Sequence, residues 1–177
     1  MQIRSGSLLV AHPAHCDHEH QTHVVYITES NEESTIGVIL NDLSGHDMCK
    51  FMQERGMSWY GDREVYIGGN YNPYALLMLH DSDWYSSNTM QINRDYSISS
   101  DNMMLEKMEM GNTPDWYKMF IGCTAWSASE LEHELRSSKP RWLFIPKPSD
   151  ELVQCNSNSM WNNAVAEYSQ DVFSNYI

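Results

Sequence analysis

Three short runs rich in Leu, Val and Ile crowd the first forty residues, at Leu8 to Ala11, Val24 to Thr28 and Ile36 to Leu40. Such runs are too short for buried helices, and branched side chains pack well on a pleated surface, so they predict strands. The polar stretch Glu29 to Ser34 between the last two predicts a hairpin loop. The same reasoning predicts strands at Glu64 to Ile67, Ala75 to His80, Lys118 to Thr124 and Trp142 to Ile145.

Helical spacing interleaves with these runs. Met48, Phe51 and Met52 recur at i, i+3 and i+4 and stop at Gly56, which predicts a short amphipathic helix with a glycine C-cap. A second helix is predicted to start near Ser99 or Ser100, where Asp101 favours the positive end of the dipole, and to end at Gly111. Ser127-Ala128-Ser129-Glu130 is a capping box, and Trp126 and Leu131 stand at the two positions of a hydrophobic staple. Trp161, Ala164, Val165 and Tyr168 predict one buried stripe on a last helix. Strands and helices in mixed order, with no repeat or linker, predict a single α+β domain spanning residues 1–177.

Composition removes several classes of function. The chain carries 41% hydrophobic and 20% charged residues, which suits a folded domain. Its apolar runs fall far below the roughly 20 residues of a membrane span. The N-terminus shows no secretory leader, so a cytoplasmic protein is expected. Cys16, Cys49, Cys123 and Cys155 are dispersed without a CxxC pair, which fits reduced, unpaired thiols. A net charge of −13, with eleven scattered Lys and Arg residues, opposes direct nucleic-acid binding.

Taken in order, several segments resemble the YqgE/AlgH family of bacterial proteins, whose biochemical activity is not established. The first block is Ser7 to Pro13, Asp17, Val24 to Ile27, Glu29 and Gly37 to Asn41. The second is Gly68-Gly69 with Leu79-His80, and the third is Gly122, Trp126, Leu131-Glu132 and Glu134, with looser matches at Trp142 and Trp161. The chain departs from the family pattern at Ser30, Ser34, Asp42, Asn70-Tyr71 and Ser129-Glu130 and lacks its glycine-rich tail, so it resembles a diverged, shortened member. The resemblance implies a mixed, bifurcated or partly barrel-like sheet flanked by helices. It also implies that Asp17, Asn41, Gly68, Gly69, His80, Trp126 and Glu132 gather at one ligand-binding pocket, since strand ends and helix starts are where polar groups converge.

Each chemical candidate has a plainer alternative. His12, His15, Cys16, Asp17, His18, His20 and His23 are potential ligands for a divalent metal, and on an extended segment His18 and His20 share a face. The plainer reading is a polar surface loop. Asp17 and His80 suggest an acid–base pair if the fold joins them; otherwise Asp17 caps a turn and His80 bonds backbone. Gly68-Gly69 suggests an anion nest or a turn needing positive φ, and Cys123 reads as buried and inert. Glu130 belongs to the capping box, Glu132 pairs with Arg136, and Glu134 shares the face of Glu130. The expectation is a non-enzymatic binding or regulatory protein acting on an unknown protein or small polar ligand, without a required cofactor. The alternative is a metal-assisted or His/Asp-based hydrolase. Exposure of Trp59, Tyr60, Tyr71, Tyr74, Trp84 and Tyr85 bears on a protein-binding role.

Overall fold

A computed structural model describes residues 2–176. In chain order, the first half holds β1 (Leu8–Ala11), β2 (Val24–Ser30), β3 (Ser34–Ile39), β4 (Leu43–Asp47), α1 (Met48–Glu54), β5 (Glu64–Ile67) and β6 (Tyr71–Asp81). There follow β7 (Met90–Gln91), β8 (Tyr96–Ser99), α2 (Asn102–Glu109), β9 (Tyr117–Ser127), α3 (Ala128–Arg136), β10 (Trp142–Ile145), α4 (Asp150–Gln154) and α5 (Ser157–Ser174). The class is α+β. The chain forms two compact units, Met1–Asp42 with Thr124–Ile177 and Leu43–Cys123, and β9 runs from the second into the first.

In the first unit every strand pairing is antiparallel. β1 lies between β10 and β2, and β3 pairs with β2 and with the last four residues of β9. Period-2 alternation puts Leu9 and Ala11 of β1 and Val25 and Ile27 of β2 into one core cluster, together with Ile39, Leu131 and Trp142. The capping box forms: Ser127 Oγ accepts the Glu130 N–H while Glu130 Oε2 accepts the Ser127 N–H at 2.9 Å. Trp126 packs on the cluster that contains Leu131. On α5 the buried centre is Met160 and Ala164 rather than the whole predicted stripe. Trp161, Val165 and Tyr168 stay half-buried, and the Trp161 indole N–H donates to the Ala11 carbonyl at 3.0 Å.

The second unit has a mixed sheet, because β5 runs parallel to β9 while β6 pairs antiparallel with β9 and β8. β4 pairs with β5, and β7 with β8. Its core is built on methionine, with Met48, Met52, Met78, Met104, Met108 and Met119 around Trp59 and Trp84. Methionine's flexible, polarisable chain fills irregular gaps between a sheet and two short helices. The cap of α2 is Asp101, whose carboxylate accepts the Met104 N–H at 2.8 Å. The helix thus starts close to the predicted Ser99 or Ser100, and its cap falls on Asp101 because Ser99 closes the buried strand β8. Among the described residues no helix is long and apolar enough to cross a membrane.

Candidate functional site

The segment from His12 to His23 is a succession of turns rather than an extended strand. Backbone bonds from Cys16 to His12, His20 to Asp17 and His23 to His20 fold it back on itself. The alternation that would place His18 and His20 on one face therefore does not operate. The Nδ1 of His18 meets the Gln21 amide nitrogen at 3.4 Å, and the Nδ1 of His20 meets Asp17. Among the described residues no three His, Cys, Asp or Glu side chains are grouped as a metal would need.

Asp17 instead anchors a polar cluster. Its Oδ1 accepts the His20 backbone N–H at 3.1 Å and lies 2.6 Å from His20 Nδ1, which fixes both the turn and the ring. Its Oδ2 lies 3.2 Å from Arg141 Nη2, at the entry to β10. The His20 bond is the main reason the Asp17 carboxyl titrates below its ordinary range; the Arg141 charge adds to it. Arg141 Nη1 reaches Glu134 Oε1 at 3.4 Å, and Glu134 Oε2 accepts the Trp142 indole N–H at 2.7 Å. One guanidinium thus sits between two carboxylates.

These side chains line a cavity of about 190 Å³ together with Cys16, Val25, Ile39, Thr124, Ala125 and Trp126. Trp126 and Trp142 meet edge to face at 6.1 Å, and His20 meets Trp142 in the same manner at 6.2 Å. The Cys16 thiol is pushed above its usual range, first by burial and then by the Asp17 charge, so it is not an activated nucleophile.

Of the seven residues assigned to a pocket from sequence, this cavity contains Asp17 and Trp126. Asn41 closes the turn segment, its amide accepting from the Val24 N–H and donating to the Thr22 carbonyl. Glu132 pairs with Arg136 at 2.7 Å and lines a separate groove of about 360 Å³ in the same unit.

Gly68, Gly69 and His80 belong to the second unit. Gly69 has φ +152° and Gly122 has φ +71°, and a Cβ on Gly122 would run into the Gly69 carbonyl oxygen. Close backbone approach and positive φ account for both glycines. His80 is 0% exposed, with Nδ1 at 2.7 Å from the Asp81 carbonyl and Nε2 at 2.8 Å from Ser99 Oγ. Burial lowers the pKa of its imidazole, and both ring nitrogens have partners within the unit. Cys123 is buried with its thiol pushed up by burial. A groove of about 720 Å³ in this unit is lined by Phe51, Leu76 and Ile121 beside Tyr74, which is 98% exposed. Tyr60, Tyr71 and Tyr85 are also exposed, whereas Trp59 and Trp84 are core residues.

Glu134, Arg141 and Trp142 are polar and aromatic members of the cavity that sequence reasoning did not assign to a pocket, as are Cys16 and His20. Glu134 and Trp142 carry part of the family resemblance, but their meeting depends on α3 leading directly back to β10, which no residue spacing reveals.

A two-unit α+β protein with a small polar cavity defines the class. The AlgH-like family model, DUF179, matches residues 8–172, and the chain belongs to that family. It is 29% identical over 155 residues to a UPF0301 protein of Marinomonas sp. (strain MWYL1), covering 85% of this chain and 81% of that one. A UPF0301 protein of Methylococcus capsulatus is 26% identical over 164 residues, covering 91% and 89%. The solution structure of the AlgH protein from Pseudomonas aeruginosa shares the fold with a TM-score of 0.76 at 23% identity, over 94% of this chain and 92% of that one. A crystal structure of a Corynebacterium diphtheriae protein gives 0.72 at 19% identity, over 93% and 86%.

Proposed function

We propose that this chain is a non-enzymatic binding protein whose recognition site is the cavity lined by Asp17, Trp126, Glu134, Arg141 and Trp142, and that its ligand is small and polar. The observation that carries this reading is the meeting of Asp17 and Trp126, two residues remote in sequence, at one cavity of about 190 Å³. Convergent polar groups against aromatic walls suit a binding site. The cluster's charged groups are spent on one another, as expected of a preformed recognition surface. The exposed Tyr60, Tyr71, Tyr74 and Tyr85 supply aromatic surface for protein contacts, through which a regulatory role would run. The charge of −13 favours protein or small-molecule partners over nucleic acid.

A screen of small polar compounds, read by the indole N–H resonances of Trp126 and Trp142, tests this. Saturable shifts at those two signals support it; hits that move only tryptophans elsewhere refute it. One observation favours a His/Asp-based hydrolase as the second reading: the 2.6 Å approach of Asp17 to His20, which would orient an imidazole base. That reading requires turnover of an ester or amide substrate that disappears in His20→Ala.

A further inference from the structure

We infer that the groove of about 720 Å³ in the second unit binds an amphiphilic carboxylate, a single hydrocarbon chain with an anionic head. The chain lies on Phe51, Leu76 and Ile121, and the head beside Lys50 and Arg55. This site shares no residue with the cavity of the proposed function.

Strand register explains why the groove exists. Val65, Met119 and Met78 are matched across β5, β9 and β6, and Ile67, Ile121 and Leu76 form the matched row two residues along. Residues two apart on a strand share a face, so both rows lie on one face of the sheet. The first row is buried in the core that Met48 and Met52 of α1 and Met104 and Met108 of α2 complete. In the second row Ile67 is 37% exposed, and Ile121 and Leu76 are half-buried. The helical cover ends before the apolar face does, and the uncovered aliphatic surface is the floor of the groove.

Charge is segregated along the walls. Pro73 to Leu76 of β6 bring no charged side chain, and the carboxylates and cations of the lining all come from Asp47 and α1. Asp47 is spent: it accepts the Cys49 N–H at 2.8 Å and lies 3.6 Å from Arg63. The Arg55 guanidinium rests 4.0 Å over the Phe51 ring, so the apolar wall holds the cation while no carboxylate of the described residues pairs with it. Lys50 has no carboxylate partner among the described residues either. Glu54 alone stands against these two cations, which leaves one net positive charge at the rim of a chain whose total is −13. The other two cavities each set one arginine against two carboxylates, Arg136 with Glu32 and Glu132, and Arg141 with Asp17 and Glu134. An anionic head is therefore favoured here and opposed there. The volume lies within the roughly 300–1,000 Å³ of small-molecule sites.

The test is a titration of the full chain with decanoate, decyltrimethylammonium and acetate, each below its micelle-forming concentration and at matched ionic strength. The readout is the ¹H–¹³C methyl signals of Val65, Leu76 and Ile121. The inference expects saturable shifts with decanoate, clearly weaker binding of decyltrimethylammonium, and none of acetate. Octanoate should bind about tenfold more weakly than decanoate, the loss of two buried methylenes. Lys50→Gln and Arg55→Gln, both at exposed positions, should each weaken decanoate binding by about threefold, and Glu54→Gln should tighten it by a similar factor. Lys139→Gln, the same charge change at an exposed position of the first unit, should leave it unchanged.

Equal or tighter binding of decyltrimethylammonium overturns the inference, because the groove would then recognise hydrocarbon without regard to charge. Decanoate shifts confined to methyls outside the groove, or equal weakening by Lys139→Gln, overturn it too. Two further arms identify a different occupant and so also overturn it. Shifts of the three methyls that grow with protein concentration alone would show a second copy on this face, and shifts with phosphatidylglycerol vesicles but not with decanoate would show a membrane surface.

Discussion

Glu134 Oε2 accepts the indole N–H of Trp142 at 2.7 Å, so a carboxylate on α3 holds in place the tryptophan that opens β10. The same carboxylate contacts Arg141 through its other oxygen. One residue therefore sets both an aromatic wall and the cationic member of the cavity. Glu134→Ala would leave the buried indole N–H without its acceptor. It is expected to cost about 1–3 kcal/mol in urea denaturation and to shift the Trp142 indole resonance. Glu134→Gln keeps an acceptor and is expected to cost less.

Ser127→Ala is expected to destabilise the protein by about 1 kcal/mol, because it removes the side-chain acceptor of the capping box on α3. A urea midpoint indistinguishable from the parent protein would show that the helix start is held by tertiary packing alone.

The capping box was fully legible because its chemistry is local, and so were β5 and β10, whose observed bounds equal the predicted ones. Legibility ended where structure depends on distant partners. β4 has the sequence Leu-Ser-Gly-His-Asp, with no apolar alternation, and exists through pairing with β5. β6 starts at Tyr71 rather than Ala75 because Asn72, at φ +48°, and Pro73 look like loop residues yet continue an exposed strand. In the cavity, Asp17 and Trp126 were available from family resemblance. Arg141 was not, because its role follows from β10 pairing with β1 beside the turn that carries Asp17.

Gly122→Ala is expected to cost more than about 2 kcal/mol. The residue lies at φ +71°, and its Cβ would meet the Gly69 carbonyl oxygen, a backbone atom with little room to yield. Thermal denaturation of the variant checks this. A cost below that of an ordinary surface substitution would mean that the two backbones are not closely apposed.

Acid should destabilise the protein in part through His80. Its pKa in the folded protein is lowered, mainly by burial, so the unfolded chain binds the proton more readily. Stability therefore rises with pH here: the contribution is complete above the unfolded value of about 6.5 and is lost as pH falls towards the folded one. His12 and His23 are lowered by burial too and act in the same direction. Urea midpoints at pH 7.5 and 5.5 should differ, and by less in His80→Gln than in the parent. An equal drop in the two would show that His80 is not the group titrating.

Four thiols are expected on titration of protein denatured under protection from oxidation, since Cys16, Cys49, Cys123 and Cys155 are all unpaired. In the native state Cys123 should react slowest with a soluble disulfide reagent, being buried with its thiol pushed up. A count of two in the denatured protein would contradict the unpaired arrangement.

The most direct measurement is recovery of the ligand itself. The protein is isolated from its native cells under non-denaturing conditions, and native mass spectrometry compares the parent with the Asp17→Asn and Trp126→Ala variants. The account predicts a small bound molecule on the parent, depleted in both variants, that is returned chemically unchanged after prolonged incubation with excess protein. Conversion of that molecule, or equal retention by both variants, would contradict a non-enzymatic binding role at this cavity.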